Sequence, residues 1–332
     1  MKRGISVLLF LILVIVLSLN FISADLISHW SFDGNADDSS GSGNNGVVSG
    51  AILTEGKSNQ AYKFDGINDY INIINEASFD FERTDKFSIA LWLKPDSADT
   101  STQVPISKMR DASPFTGWDF VINYKGSIPG TQGSNKPGYL TLQIVNKYSN
   151  NSIEVSTSSP TKLNDGNYHY YVITYDSSSS ANGVKIYEDG EKLPLTITRD
   201  NLISSILNNY KVTLGDRDGG DTGFSYKGLI DEVKIFNRTF SDLEINGLYL
   251  SYLYQCNDKI DNDADGKIDY PSDPGCDSAI DNDESNVINA TCTDSDGGKD
   301  IIQRVLLQKK EKEFLIMNRK INVLYLLEMA VI

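Results

Sequence analysis

Short runs of alternating apolar and polar residues, broken by Gly, Asn, Asp and Ser, fill residues 25 to 254. Alternation with period two puts successive side chains on opposite faces of a strand. Phe87-Ser-Ile-Ala-Leu-Trp-Leu-Lys94 thus gathers Phe87, Ile89, Leu91 and Leu93 on one face, and Trp118-Asp-Phe-Val-Ile-Asn-Tyr124 alternates too. Tyr168-His-Tyr-Tyr-Val-Ile-Thr-Tyr175 carries large residues at both parities, as a central strand covered on two sides would. Val184 to Tyr187 and Lys192 to Leu195 flank Asp189-Gly190, a dipeptide that predicts a tight hairpin turn. Roughly a dozen short strands, with polar turns and no strand–helix rhythm, predict an all-β fold of two packed antiparallel sheets. One helix is expected near the end of this region. Ser241-Asp-Leu-Glu244 has capping-box spacing, and the apolar residues of Leu243 to Leu253 are expected to pack over the sandwich edge.

The pattern changes outside this region. Lys2 and Arg3 precede an apolar run from Ile5 to Leu19, and Ile22-Ser-Ala24 follows, so residues 1–24 predict a signal peptide. An uncleaved anchor is the rival, and would be the only link to a membrane. Either way the body is expected to be secreted or held at the cell surface. Residues 255–300 hold 13 acidic and 3 basic side chains and few aliphatic ones, too few for a core without ions or disulfides. Residues 301–332 lack Gly, Pro, Ser, Thr and Asp and are basic. An aberrant end and a terminal helix both fit that stretch. With 45 acidic and 30 basic residues the net charge is −15, which argues against a nucleic-acid partner.

Six motifs occur in order: His29-Trp-Ser-Phe-Asp33, Tyr62-Lys-Phe-Asp-Gly66 with Asp69-Tyr70, Phe87 to Pro95, Tyr168 to Asp176, Val184 to Gly190, and Gly228-Leu-Ile-Asp-Glu-Val-Lys-Ile-Phe236. Together they resemble the laminin G-like and pentraxin-like branch of the concanavalin A-like superfamily. The resemblance implies a jelly-roll sandwich whose first and last strands pair. It also implies binding, of an extracellular glycan or surface protein, rather than catalysis, and often with calcium. Asp33 and Asp231 are then candidate calcium ligands, against plain turn and strand-end roles. Asp216 and Asp218, in the Gly/Asp loop 214–221, and Asp111 are candidate ligand-site acids, against an ordinary turn. Trp118 and Tyr124 are candidate stacking faces for a sugar, against core positions.

The acidic stretch resembles thrombospondin type 3 repeats and other DxDxDG calcium loops. Asp261, Asp263, Asp265 and Asp269 fall at loop positions 1, 3, 5 and 9, and Lys267 at position 7, where a backbone carbonyl ligates. Gly266 provides the sharp turn, and Ile268 stands where such loops bury an apolar side chain. Ser272 at position 12 departs from the full EF-hand pattern, and a disordered acidic linker is the alternative. Cys256 and Cys276 bracket this loop, and a disulfide between them would preorganise it.

No strand carries the closely spaced carboxylates of a glucanase. His29 and His169, the two histidines, lie in strand patterns away from any nucleophile motif. A non-enzyme is therefore expected. A purely structural surface module and, less favoured, a glycoside hydrolase-related enzyme are the alternatives.

Overall fold

The computed structural model describes residues 25–125, 134–148, 150–218 and 223–253, with single positions 267, 268, 272 and 276. Its strands are β1 (Leu26–Trp30), β2 (Gly46–Ser49), β3 (Ile52–Glu55), β4 (Gln60–Asp65), β5 (Tyr70–Ile73), β6 (Lys86–Pro95), β7 (Gln103–Met109) and β8 (Gly117–Lys125). They continue with β9 (Ser134–Lys147), β10 (Asn151–Thr157), β11 (His169–Asp176), β12 (Val184–Glu188), β13 (Glu191–Lys192), β14 (Leu195–Asp200), β15 (Thr213–Leu214) and β16 (Lys227–Phe236). One α-helix, α1 (Asp242–Leu250), follows.

The strands form two antiparallel sheets. Sheet A runs β13-β12-β11-β6-β16-β4-β3, with β1 also on β16. Sheet B runs β14-β10-β9-β8-β7-β15-β5-β2. Pairing of β1 with β16 joins the first strand to the last, as the resemblance implies. Aliphatic and aromatic side chains of both sheets meet between them, with Phe87, Ile89, Leu91 and Leu93 of β6 facing Phe120, Leu142 and Ile153 of sheet B in one core. The predicted Asp189-Gly190 turn is present, with φ of 51° and 80°, the two positive values that a two-residue hairpin turn requires.

Both parities of β11 are buried. Tyr171, Ile173 and Tyr175 enter the main core, while Tyr170 and Val172 join Ala90, Trp92, Tyr187 and Phe236 in a second cluster on the outer face of sheet A. Helix α1 covers that cluster through Ile245, Leu248 and Tyr249. It therefore lies over a sheet face rather than the sandwich edge expected for it. Its capping box is formed: Ser241 Oγ accepts the Glu244 N–H, and the Ser241 N–H donates to Glu244 Oε2. No helix among the described residues is long and apolar enough to cross a membrane.

Candidate functional site

The outer face of sheet B is polar where that of sheet A is apolar. On β8, β9 and β10 the residues Trp118, Phe120, Ile122, Leu140, Leu142, Ile144, Ile153 and Val155 turn inward. Alternation sends Asp119, Val121, Thr141, Gln143, Ser152, Glu154 and Ser156 outward. Strand register aligns three of these in one row with Ser107 of β7 and Arg199 of β14, giving Ser107–Asp119–Gln143–Glu154–Arg199 across β7, β8, β9, β10 and β14. Ser107, Asp119, Gln143 and Glu154 are buried although they face away from the core. Side chains from the surrounding loops lie over them.

Arg217 reaches this row from the segment after β15. Gly215 sets that exit: its φ is +85°, and a Cβ there would lie 2.3 Å from the Phe64 ring. Arg217 Nε donates to Asp119 Oδ2 at 3.0 Å, Nη2 donates to the same oxygen, and Nη1 donates to Asp111 Oδ1 at 3.3 Å. The Phe224 ring caps the guanidinium at 4.6 Å. Burial pushes the Asp119 carboxyl up, against the pull of Arg217. Asp119 Oδ1 and the neighbouring Ser107 hydroxyl are buried without partners among the described residues.

A second cluster flanks the first. Glu154 Oε2 accepts from Gln143 Nε2 at 2.7 Å and from the Tyr148 hydroxyl at 3.3 Å. Thr198 donates to Glu154 Oε1 at 2.9 Å, and Arg199 pairs with that oxygen at 3.6 Å. The Arg199 guanidinium lies 4.8 Å over the Tyr148 ring, and the hydroxyls of Tyr124 and Tyr148 are 3.1 Å apart. Burial, followed by Glu154, pushes the Tyr124 phenol well up, so it stays protonated.

Between these clusters opens a cavity of about 400 Å³, walled by Phe115, Tyr124, Tyr148 and Phe224, with Asp111, Gln143, Thr102 and Arg217 as its polar groups. The walls are tied to the scaffold. The Tyr148 N–H donates to Pro114 O at 3.1 Å, and Phe224 O accepts from Val104 N at 2.9 Å. Aromatic walls with a few oriented polar groups can stack one face of a ring-shaped ligand and read its hydroxyls.

The structure sorts the residues singled out in the sequence. Asp111 lines the cavity. Asp216 is buried without lining the cavity, accepting the Arg217 N–H and the Ser225 hydroxyl, and so shapes the loop. Asp218 stands beside Asp111, its carboxyl raised by burial although the Asp111 N–H bonds to it. Trp118 is a correction: at 1% exposure it packs on Phe81 and Phe87 in the core and offers no face to a ligand. Tyr124 would share its face by simple alternation, but the β8–β9 register shifts between Ile122 and Tyr124, with Asn123 at φ 55°, and Tyr124 emerges into the cavity. Arg217, Glu154, Gln143, Tyr148, Phe115 and Phe224 were not anticipated. The alternation Ser152-Ile-Glu-Val-Ser156 is the signal that could have placed Glu154 on an outer face.

Asp33 and Asp231 hold the two ends of one hairpin loop. Asp33 Oδ1 accepts the Gln60 N–H at 3.1 Å, and Asp231 Oδ2 accepts those of Lys57 and Ser58 at 2.8 and 3.0 Å. Among the described residues no group of three acidic, His or Cys side chains could hold a metal ion. With N–H donors on these oxygens the pair does not fit the six or more oxygen ligands of calcium. Asp231 is pushed up to about 8 by burial, and its Oδ1 has no partner among the described residues. Next to it the β16 register shifts, and Glu232 adopts φ 51°. Against its own burial, Glu232 is pulled down to about 2 by Lys234 and His29. His169 bonds the carboxylates of Asp189 and Asp165. His29 Nε2 bonds Glu232 Oε2 at 2.7 Å.

Asp261, Asp263, Asp265, Asp269 and Cys256 lie outside the described residues. Lys267 is exposed and Ile268 is 48% exposed, unlike the buried position expected of it. Cys276 is buried and disulfide-bonded.

Three solved structures of similar fold are named as binding domains. That of Paraclostridial Mosquitocidal Protein 1 matches with a TM-score of 0.55 and 17% identity, over 70% of this chain and 54% of that one. The receptor binding domain of botulinum neurotoxin D matches at 0.51 and 15%, over 70% and 54%. The binding domain of botulinum neurotoxin DC, solved in complex with rat synaptotagmin II, matches at 0.50 and 15%, over 71% and 53%. This chain thus spans about half the length of those structures. No curated protein sequence matches it. Residues 64–246, more than half of the chain, match the family profile, and with the two-sheet architecture this establishes that the chain belongs to the Concanavalin A-like lectin/glucanases superfamily.

Proposed function

We propose that this protein is a non-catalytic extracellular binding module, and that the cavity on the outer face of sheet B takes a glycan unit. The carrying observation is the cavity itself: four aromatic walls fixed to the scaffold around Asp111, Gln143, Thr102 and Arg217. The solved structures of similar fold are themselves named binding domains, one in complex with a protein. That likeness is one of fold, so the glycan reading rests on the cavity. A protein ligand on the same face is the second reading, and a purely structural module is the third.

The sandwich is proposed to span residues 25–254, preceded by a signal peptide over residues 1–24. Residues 255–300 are proposed as a calcium segment, supported by the DxDxDG spacing from Asp261, with a Cys256–Cys276 disulfide bracketing it. Calorimetric calcium titration of the full chain against the Asp263→Ala, Asp265→Ala variant tests that segment; equal heats from both would reduce it to a linker. Binding to printed oligosaccharides tests the cavity. Tyr148→Ala is expected to abolish binding at an unfolding temperature within a few degrees of the parent. Undiminished binding by that variant would move the ligand elsewhere.

A further inference from the structure

The cavity and the row beneath it carry an uneven charge. Five carboxylates lie on or near it: Asp111 on its wall, Asp119 and Glu154 in the buried row on either side of the lining Gln143, and Asp216 and Asp218 in the loop around the lining Arg217. Three guanidinium groups oppose them among the described residues. Arg217 is spent on Asp119 and Asp111, Arg199 pairs with Glu154, and Arg110 lies near Asp218. The lining cation is also screened on one side by the Phe224 ring. Asp119 keeps one buried oxygen with no donor on it among the described residues. A buried carboxylate only half paired projects its field further than one in water, because little solvent screens it.

We propose that the cavity is charge-selective: it takes neutral and amine-bearing sugar units, prefers those with a protonated amine, and rejects uronates and sulfated sugars. This rests on the glycan reading above. An incoming ammonium or hydroxyl brings donors to a site with surplus acceptors, with Asp111 the carboxylate it meets first. An incoming carboxylate or sulfate has to displace Asp111 from Arg217 or stand beside it unpaired, and an unpaired charge at a desolvated site is costly. Arginine inside a sugar site ordinarily favours anions; here its partners reverse that preference.

The test is a printed array bearing neutral cello-, xylo- and manno-oligosaccharides, deacetylated chito-oligosaccharides, and galacturonate, alginate and heparin oligosaccharides, probed with the full chain at pH 6 to 7 without calcium. Hits are then ranked by calorimetry. Binding confined to neutral and amine-bearing probes is expected, with the amine-bearing form of a given backbone about tenfold tighter. In Asp111→Asn that ratio is expected to fall to about two. Tyr148→Ala shows whether a hit uses this cavity. A uronate or sulfated hit lost in Tyr148→Ala overturns the charge selectivity and leaves the glycan reading standing. Neutral hits with no amine preference in the parent overturn the preference for amines. Hits unaffected by Tyr148→Ala, or no hits at all, overturn the glycan reading and this inference together.

Discussion

The two outer faces of the sandwich solve one problem in opposite ways. Sheet A places Trp92, Tyr170, Val172 and Tyr187 outside and lays helix α1 over them, so that face becomes a second core. Sheet B places Ser107, Asp119, Gln143 and Glu154 outside and covers them with Arg217, Phe224 and the Tyr148 turn. A packed apolar face is filled and stabilises the fold. A polar face roofed by loops leaves a space, and its groups keep a preferred direction of charge. The face that contributes less to folding is the one free to bind.

The contrast can be broken at four points. Trp92 is nearly inaccessible and touches Tyr170, Tyr249 and Tyr252. Trp92→Ala is expected to cost about 4 kcal/mol in denaturant unfolding; a loss below about 1 kcal/mol would mean that the helix-covered face is not a core. On sheet B, Asp119→Ala strands Arg217 and is expected to cost about 3 kcal/mol, whereas Asp119→Leu with Arg217→Met is expected to return to within about 1 kcal/mol of the parent while losing ligand binding. Equal destabilisation by both variants would make the ion pair structural.

Asp231 sharpens the comparison, since it is a buried acid on sheet A without the cation that Asp119 has. Its folded pKa of about 8 lies far above the 3.8 of an ordinary aspartate, so between these values the folded chain holds a proton that the unfolded chain has released. Stability from this group therefore falls as pH rises, by about 2 kcal/mol from pH 5.5 to 7. In Asp231→Asn, which keeps an oxygen for the Lys57 and Ser58 N–H groups, that slope should vanish in urea titrations at the two pH values. Glu232 has the opposite sign: its stabilisation is present above its ordinary pKa and is lost as pH falls toward about 2. The smallest effect is at the cap. Ser241→Ala is expected to cost about 1 kcal/mol, read as a lowered unfolding temperature.

Much of the frame was legible in the residues. Strong period-two runs gave β6, β8 and β11, the Asp189-Gly190 turn gave a hairpin, and the Ser241 box gave a helix start. The site was less legible because it depends on register. Trp118 and Tyr124 have the same parity, and only the irregularity at Asn123 separates a core indole from a cavity phenol. Arg217 is inconspicuous between Asp216 and Asp218, because an acidic loop suggests a cation from outside. The structure supplies the cation from within the same loop. What Asp33 and Asp231 share is one backbone loop, whose N–H groups each carboxylate accepts.

Pairing of β1 with β16 sets a clock on assembly. His29 and Glu232, which meet beside that pairing, are 203 positions apart, and β16 is the one strand that β1 pairs with among those described. At synthesis rates of about 5 to 20 residues per second, the first strand waits roughly 10 to 40 s before its neighbour exists. During that interval its edge is a template for any other extended segment, and closure between such distant segments is slow even once both are present. The burden falls on whatever keeps the emerging strand solitary until the last one arrives.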